Sequence, residues 1–325
     1  MIGERPAQQH RRFWRDIARR AGVFISPAEL VRLVAPTTPI ASVLSYVSRR
    51  NEAHLTTDGP DARDPEFVRW VMDIARWLGQ YYFRLRFEGL EHLPADGPGL
   101  IVGNHNGGIM PLDAFFTVLG VWDHLGPTRP VHPLVHDLIT QDPLAHRLAV
   151  AGGGLRASQG GGEKALRAGH LALAYPGSDR ETFRPFWKRD RIDLGGHMGF
   201  VRLAIREGAP IVPAVSAGTH EQLIVLARGD RLARWLRTEK WLRTTVIPIV
   251  LCVPWGLTIG LLLYVPLPAQ TTIAFGEPIR WPELRPEDAD DPAVLTRCYD
   301  QVVSVMQRML DRLSEGRRPW LGKPS

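Results

Sequence analysis

Short apolar segments alternate with helical patterns through the middle of this sequence, and the alternation limits the fold more than any other feature. The apolar segments have the length of buried strands, and they comprise residues 100–103, 131–135, 171–175 and 210–215. Between them lie stretches with helical spacing, at residues 138–150, 163–168 and 198–207. This order predicts an α/β fold with a central, mostly parallel sheet flanked by helices, preceded by an N-terminal helical segment.

Composition narrows the class of partner. The 325 residues carry a formal net charge of +6, which favours an anionic partner such as a phosphate-bearing substrate or an anionic lipid. Nucleic-acid binding would rest on net charge alone, and we do not expect it. The two cysteines, Cys252 and Cys298, match neither a metal-ligand spacing nor a disulfide framework. We therefore predict no metal site and a reducing, cytoplasmic environment.

The N-terminal region has a basic amphipathic pattern. Within residues 11–25, Trp14, Ile17, Ala21 and Phe24 follow helical spacing with arginines between them. Such a helix can lie in an anionic membrane surface, although packing on its own domain is an equal alternative. Residues 1–9 are polar, and a signal peptide is not expected.

Helix signals also bound the domains. Asp64-Pro65 predicts a capped helix start, followed by an apolar stripe expected to be core: Phe67, Trp70, Val71, Ile74, Trp77, Leu78 and Tyr81. Asp291-Pro292 predicts the start of a last amphipathic helix. We predict a helical, membrane-apposed segment at residues 1–80, a catalytic domain at residues 81–315, and a frayed tail at residues 316–325.

A long run without charge covers residues 244–276. Its prolines leave residues 255–265 as the longest unbroken piece, which is too short to span a bilayer. We predict an apolar hairpin that dips into a membrane or covers a substrate, with a buried strand pair as the alternative. The preceding cations form a broad basic face suited to lipid headgroups: Arg228, Arg231, Arg234, Arg237, Lys240 and Arg243.

One strand ends in a histidine with a carboxylate close behind it. Asn104-His105 follows the apolar residues 100–103, and Asp113 comes eight residues after His105, beyond Gly107, Gly108 and Pro111. A histidine and a carboxylate in this arrangement can act as a general base and its orienting partner. A purely structural, hydrogen-bonded histidine is the alternative.

Three further motifs follow in order: Gly154-Leu155-Arg156, then Tyr175-Pro176-Gly177 through Glu181, then Pro210-Ile211-Val212-Pro213. Together with Asn104-His105 they resemble the four motifs of the glycerolipid and lysophospholipid acyltransferases, especially the monoacylglycerol and diacylglycerol branch. The resemblance runs from about Tyr82 to Ile279. It implies the fold of the glycerol-phosphate acyltransferases.

The resemblance also implies a function. The chain is expected to move a fatty acyl group from acyl-CoA or acyl-carrier protein to a glycerolipid or lysophospholipid hydroxyl. The implied catalytic residues are His105 and Asp113, with acyl-CoA as co-substrate and no other cofactor. The implied substrate-binding residues are Asn104, Asn106, Gly107, Gly108, Arg156, Pro176, Gly177, Arg180, Glu181 and Pro213.

Two motifs differ from the family pattern. Members commonly have four residues between the histidine and the aspartate, whereas seven lie between His105 and Asp113. We expect a bulged loop that still brings the two together. In phosphate-binding members a glutamate precedes the glycine of the third motif, whereas here Gly177 comes first. Neutral glycerides therefore remain candidate acceptors.

The residue types suit the chemistry. His105 can take the proton of an acceptor hydroxyl, and Asp113 can fix the histidine tautomer. No Gly-x-Ser-x-Gly motif is present, so direct attack on the thioester is favoured over an acyl-enzyme. Amides of Asn106 to Gly108 are candidate oxyanion donors, and Arg156 with the cations at 180–191 is a candidate phosphate site. We expect the enzyme at the cytoplasmic face of a membrane, peripheral or monotopic; a non-catalytic lipid-binding protein on the same scaffold is the alternative.

Overall fold

The computed structural model describes residues 59–135, 143–238, 244–260 and 262–324. The α-helices in this part are α1 (Pro65–Trp77), α2 (Leu112–Leu125), α3 (Pro143–Ala151), α4 (Gln159–Arg167), α5 (Ser178–Thr182), α6 (Gly199–Glu207), α7 (Asp230–Leu236) and α8 (Pro292–Ser314). The strands are β1 (Arg86–Glu88), β2 (Gly99–Gly103), β3 (Val131–Val135), β4 (Leu155–Arg156), β5 (Leu171–Ala174), β6 (Ile211–Ala217), β7 (Ile224–Ala227), β8 (Ile249–Cys252), β9 (Gly256–Ile259) and β10 (Thr272–Phe275).

A seven-stranded sheet forms the centre of the fold, in the order β1-β10-β6-β2-β5-β3-β4. Strands β6, β2, β5, β3 and β4 are parallel, whereas β10 pairs antiparallel with β6 and β1 pairs parallel with β10. The predicted α/β fold with a mostly parallel sheet is therefore confirmed. In this arrangement the carboxyl ends of β2, β5 and β6 meet at one edge of the sheet.

Helices cover both faces of this sheet, which explains why its strands are apolar throughout. In β2, Leu100 and Val102 pack with α4, α6 and α8, whereas Ile101 packs with α1 and α2. Successive strand residues point to opposite faces, so a strand covered on both sides needs a continuous apolar run.

A second, three-stranded antiparallel sheet follows, in the order β7-β8-β9. Its inner face, with Val225, Val250 and Cys252, packs on Phe183, Leu223 and Tyr264. Its outer face and the segment after β9 expose large apolar side chains, with Leu257 66% and Leu263 77% exposed. The alternative of a buried strand pair is therefore wrong, and an apolar hairpin with one open face is present.

Helix α1 begins as predicted but buries a different face. Asp64 caps it by accepting from the backbone N–H groups of Glu66 and Phe67. The helix buries a stripe that faces α2 and lies partly to one side of the predicted one: Phe67, Val68, Met72 and Ala75. The predicted core residues Trp77 and Tyr81 are 60% and 66% exposed, and their rings contact each other instead, 6.0 Å apart.

The C-terminal segment is not frayed. The Arg317 guanidinium forms a buried ion pair with Glu221, with Nε to Oε1 at 3.1 Å, and the Trp320 amide donates to the same carboxylate. Phe186 stacks on Trp320. A buried acid on the domain therefore holds the tail, which the polar composition of the segment did not reveal.

Some predictions lie outside the described residues or are only partly covered by them. The basic helix at residues 11–25 lies outside them, and the domain boundaries stay predictions. Helix α7 ends at Leu236, with Arg237 in the left-handed conformation, so the predicted basic face is broken there; Lys240 and Arg243 lie outside the described part. Within the described residues, no helix is both long and apolar enough to cross a membrane.

Candidate active site

The loop between β2 and α2 brings His105 and Asp113 together. His105 Nδ1 lies 2.9 Å from Asp113 Oδ2, and the Asp113 side chain is completely buried. The same oxygen accepts from the Asn106 amide at 2.7 Å, and Oδ1 accepts from the Ala114 amide at 2.8 Å. Asp113 therefore accepts three N–H donors and fixes the orientation of the imidazole.

Two glycines let the longer loop fold back. Gly107 and Gly108 have φ of 81° and 73°, a conformation that side chains with a Cβ rarely adopt. Gly108 also has no room for a Cβ, which would lie 2.7 Å from Leu223 and 2.8 Å from the Tyr264 hydroxyl. The expectation that a bulged loop would bring Asp113 to His105 is confirmed.

A buried acid and a buried arginine hold the backbone of His105. Glu181 Oε2 accepts from the His105 amide at 2.8 Å, and Arg184 Nη1 donates to the His105 carbonyl at 3.1 Å. Arg184 also donates to Asn106 Oδ1 at 2.6 Å. Both Glu181 and Arg184 are buried. These bonds position the histidine from the end of β5, as Asp113 does from α2.

A second set of bonds ties the loop to β6. Asn104 Oδ1 accepts from the Ser216 amide at 2.7 Å, and Asn106 Nδ2 donates to Ser216 Oγ at 2.7 Å. Thr182 Oγ1 accepts from the Gly108 amide at 3.1 Å. The polar residues around His105 are thus bonded chiefly to one another.

The second ring nitrogen of His105, Nε2, lies on the solvent-accessible side of the loop. The side chain is 21% exposed, and Nε2 has no hydrogen-bond partner among the described residues. The Tyr175 ring lies beside it, with centroids 5.0 Å apart, and its hydroxyl contacts Thr117 Oγ1 at 3.0 Å. With Nδ1–H donated to Asp113, Nε2 carries the lone pair that a base requires.

The charges around the ring set its proton affinity. Burial lowers the pKa of His105, but the charge and hydrogen bond of Asp113, with the charge of Glu181, outweigh it and hold the pKa above the usual 6.5. Burial raises the pKa of Glu181 to about 7, despite the opposing charge of Arg184. His105 is therefore a stronger base than a free imidazole.

A model of the diacylglycerol acyltransferase family matches residues 54–308 of the chain. The chain belongs to that family. It is an acyltransferase of glycerolipid type. Among its relatives, an uncharacterised protein of Mycobacterium tuberculosis is 31% identical over 90% of this chain and 77% of that protein. A Mycobacterium leprae relative, also uncharacterised, is 32% identical over 86% of this chain and 73% of that protein.

Two more distant likenesses have been found. The human DGAT1/2-independent enzyme synthesizing storage lipids is 29% identical over 57% of this chain and 53% of its own length. The crystal structure of the 1-acyl-sn-glycerophosphate acyltransferase PlsC from Thermotoga maritima has a TM-score of 0.47 at 15% identity, covering 88% of this chain and 93% of that one.

In the acyltransferase, several residues predicted to bind substrate hold the loop instead. Asn104, Asn106 and Glu181 are buried in the bonds described above. The amides of Asn106 and Gly108 already donate to Asp113 and Thr182, so they are not oxyanion donors. A motif match locates these residues at the site, but only their bonds reveal which of them support it.

The remaining residues predicted to bind substrate occupy different positions relative to His105. Gly177 is buried, and a Cβ there would lie 2.2 Å from Glu181 Oε2, so this glycine and Pro176 form the turn that places Glu181. Pro213 is buried in β6 beside Val102. Arg180 is exposed on α5.

Arg156 lies at the edge of the sheet. Arg156 is in β4, and strands β5 and β3 lie between β4 and β2. At the usual strand spacing this corresponds to about 14 Å from β2, so the structure does not join Arg156 to His105.

Sequence reasoning also missed members of the site. Thr182 and Ser216 lie just beyond the third and fourth motifs, and Tyr264, whose hydroxyl donates to the Gly107 carbonyl, lies in the uncharged run. Arg184 belongs to the cations at 180–191 that we predicted as part of a phosphate site, although its side chain is buried. No local signal in the sequence separates a buried arginine from an exposed one.

Proposed function

We propose that the enzyme transfers a fatty acyl group from acyl-CoA to a glycerolipid hydroxyl, with His105 as general base. The observation that carries the proposal is the Nδ1 contact of 2.9 Å to a completely buried Asp113, which leaves Nε2 facing the open side. Nε2 takes the hydroxyl proton as the oxygen attacks the thioester carbonyl. The C–S bond then breaks, and the thiolate of coenzyme A takes the proton from the imidazolium, which restores neutral His105. Between these two proton transfers, the Asp113 carboxylate stabilises the imidazolium.

A neutral glyceride is the acceptor that we favour. Glu181 of the third motif and Arg184, three residues after it, are bonded within the protein and do not present charge to a headgroup. The family match and the storage-lipid enzyme of Homo sapiens support the same choice. Lysophosphatidate would need a cation that is free to bind its phosphate close to the reacting hydroxyl, and the buried Arg184 is not free.

The test is a transfer assay with the purified full-length enzyme. Labelled acyl-CoA or acyl-carrier protein is offered with monoacylglycerol, diacylglycerol, lysophosphatidate or a fatty alcohol, and lipid product and free thiol are both measured. His105→Ala should reduce turnover by at least about 100-fold. His124→Ala, on an exposed position of α2, is the matched control and should retain activity.

Each outcome decides a separate point. Normal turnover by His105→Ala would refute the mechanism. No thiol release from either donor would support the lipid-binding alternative. Turnover with acyl-carrier protein only would replace the proposed donor.

We further propose that the outer face of the β7-β8-β9 sheet docks on the cytoplasmic face of a phospholipid membrane, as a peripheral or monotopic contact. This apolar face comprises Leu251, Val253, Leu257 and Ile259, and Trp255, Leu262, Leu263 and Val265 extend it. A solvated face of an antiparallel sheet is usually polar, and an apolar patch of this kind marks a contact surface. Exposed Trp235 and Arg237 lie at the end of α7, and this pair suits the boundary between acyl chains and anionic headgroups.

Co-sedimentation with phosphatidylglycerol–phosphatidylcholine vesicles tests the docking. The triple variant Leu257→Ser, Ile259→Ser, Leu263→Ser should bind at least about tenfold more weakly, since each buried apolar side chain contributes about 1 kcal/mol or more. Leu321→Ser, also on an exposed leucine but outside this face, is the control. Unchanged vesicle binding by the triple variant would show that another part of the chain docks.

A further inference from the structure

A basic cavity of about 490 Å³ opens beside the active-site loop, between residues 184–193 and the turn from β7 to α7. Five cationic side chains line it in addition to the buried Arg184: Lys188, Arg191, Arg228, Arg231 and Arg234. Only two carboxylates do so, those of Asp193 and Asp230. The excess of positive charge marks the cavity as a site for an anion with several charges.

Both carboxylates are already paired. Arg228 Nε lies 3.2 Å from Asp230 Oδ2, and Arg228 Nη1 lies 3.7 Å from Asp193 Oδ2. Lys188, Arg191 and Arg231 have no ion pair with any residue that the structure describes. These three side chains are exposed and available to a ligand.

An aromatic ring adds a second kind of contact. Trp187 lines the same cavity with its indole 64% exposed. Guanidinium groups bind phosphate in two-point contacts, and an indole stacks on a nucleobase. Phosphates and a purine occur together in the nucleotide end of coenzyme A, whereas a lipid phosphate has no ring to stack.

The cavity is joined directly to the catalytic loop. Arg184 lines the cavity and also donates to the His105 carbonyl at 3.1 Å and to Asn106 Oδ1 at 2.6 Å. A nucleotide bound here therefore lies next to the loop that carries the base.

We propose that this cavity binds the 3′-phosphoadenosine diphosphate end of the acyl-CoA donor. Arg191, Arg231 and Lys188 contact its phosphates, and Trp187 stacks on its adenine. The inference rests on the proposed function, because it assumes that acyl-CoA is the donor.

Kinetics with two donors test the site. S-acyl-pantetheine has the thioester but lacks the nucleotide, so the wild type should show a much lower KM for acyl-CoA. The double variant Arg191→Gln, Arg231→Gln should raise the KM for acyl-CoA at least about tenfold and leave the KM for S-acyl-pantetheine unchanged. Inhibition by adenosine 3′,5′-bisphosphate, competitive with acyl-CoA, should weaken in parallel. Arg69→Gln with Arg280→Gln removes the same charge from exposed positions outside the cavity and is the control.

The outcomes separate this inference from the function on which it rests. A wild type that does not turn over acyl-CoA contradicts the proposed function. If the wild type turns over acyl-CoA and the double variant has an unchanged KM for acyl-CoA, the proposed nucleotide site is refuted. If the double variant binds phosphatidylglycerol vesicles more weakly while its KM for acyl-CoA is unchanged, the cations bind a lipid phosphate, and the proposed nucleotide site is again refuted.

Discussion

Replacing Asp113 with asparagine tests the reasoning on the active site most directly. The two carboxylate oxygens of Asp113 accept three N–H donors, from His105, Asn106 and Ala114. An asparagine has one acceptor oxygen and one NH₂ group. If its oxygen takes the place of Oδ2, the imidazole keeps its orientation and the NH₂ group meets the Ala114 amide. If the NH₂ group takes the place of Oδ2 instead, it faces two N–H donors, those of His105 and Asn106, and this orientation is less favourable.

The expected loss of rate follows from the lost charge. Unit charges about 4 Å apart at an effective dielectric constant of about 20 attract by about 4 kcal/mol. Asp113 is completely buried, so solvent screens this attraction little. Without it the imidazolium formed during transfer is less stable, and kcat should fall about 1000-fold. The opposed N–H groups should cost a further 1–3 kcal/mol, roughly, in the free energy of unfolding.

The pH profile separates this effect from general damage. His105 acts as a base only when neutral, so the rate rises with pH through its pKa. Because that pKa is raised above 6.5, the acidic limb of kcat/KM in the wild type should lie above pH 6.5. In Asp113→Asn, burial of the ring acts without the carboxylate charge, and the limb should move to lower pH. Asp123→Asn, on an exposed position of α2, is the control. If the kcat of Asp113→Asn is within a few-fold of the wild-type value, or if its acidic limb does not move, Asp113 does not support His105 as we propose.

Three further predictions concern the surroundings of the site and the core. Gly103→Ala puts a Cβ 2.3 Å from the Tyr175 ring, which must move off His105; we expect a loss of about 1–3 kcal/mol in unfolding and a lower kcat, and an unchanged kcat would contradict the ring contact. His132 is buried with its pKa lowered to about 4, so the unfolded chain takes up a proton near pH 6.5 that the folded chain does not; stability is lost as the pH falls below 6.5, by about 2 kcal/mol at pH 5. Thermal unfolding at pH 7 and pH 5 should show a smaller difference for His132→Asn than for wild type, and an equal difference would rule this out. Arg317→Met leaves Glu221 buried without its partner and should cost about 3–5 kcal/mol in chemical denaturation, whereas a loss below about 1 kcal/mol would mean that the tail is not anchored there.

The sequence predicted the central sheet well because both of its faces are covered. Continuous apolar strands such as β2 and β6 can then be recognised without knowing their neighbours. Helix starts at Asp64 and Asp291 were also predictable, since a capping side chain acts within three residues of its own position. The same patterns placed His105 at the end of a strand and Asp113 beyond a glycine-containing loop.

The rest depended on contacts between distant parts of the chain. The face that α1 buries is set by α2, so the apolar stripe through Trp77 and Tyr81 was misleading. Arg184 lies in a run of cations that are mostly exposed, and in its buried position it binds a carbonyl and an amide oxygen that His105 and Asn106 present. The tail is held by Glu221, almost 100 residues away in sequence, and nothing near Arg317 signals it.

The long spacing between His105 and Asp113 and the uncharged run belong to one structural feature. The loop residues Gly107 and Gly108 are the ones that meet the second sheet: Tyr264 donates to the Gly107 carbonyl, and Leu223 and Tyr264 leave no room for a Cβ on Gly108. Tyr264 in turn packs in the core beneath β7 and β8, whose outer face is the apolar surface. Leu223 packs in the same core, so the loop and the inner face of the second sheet share both side chains. The surface that we propose to meet lipid and the loop that we propose to carry the base are therefore held by the same few side chains.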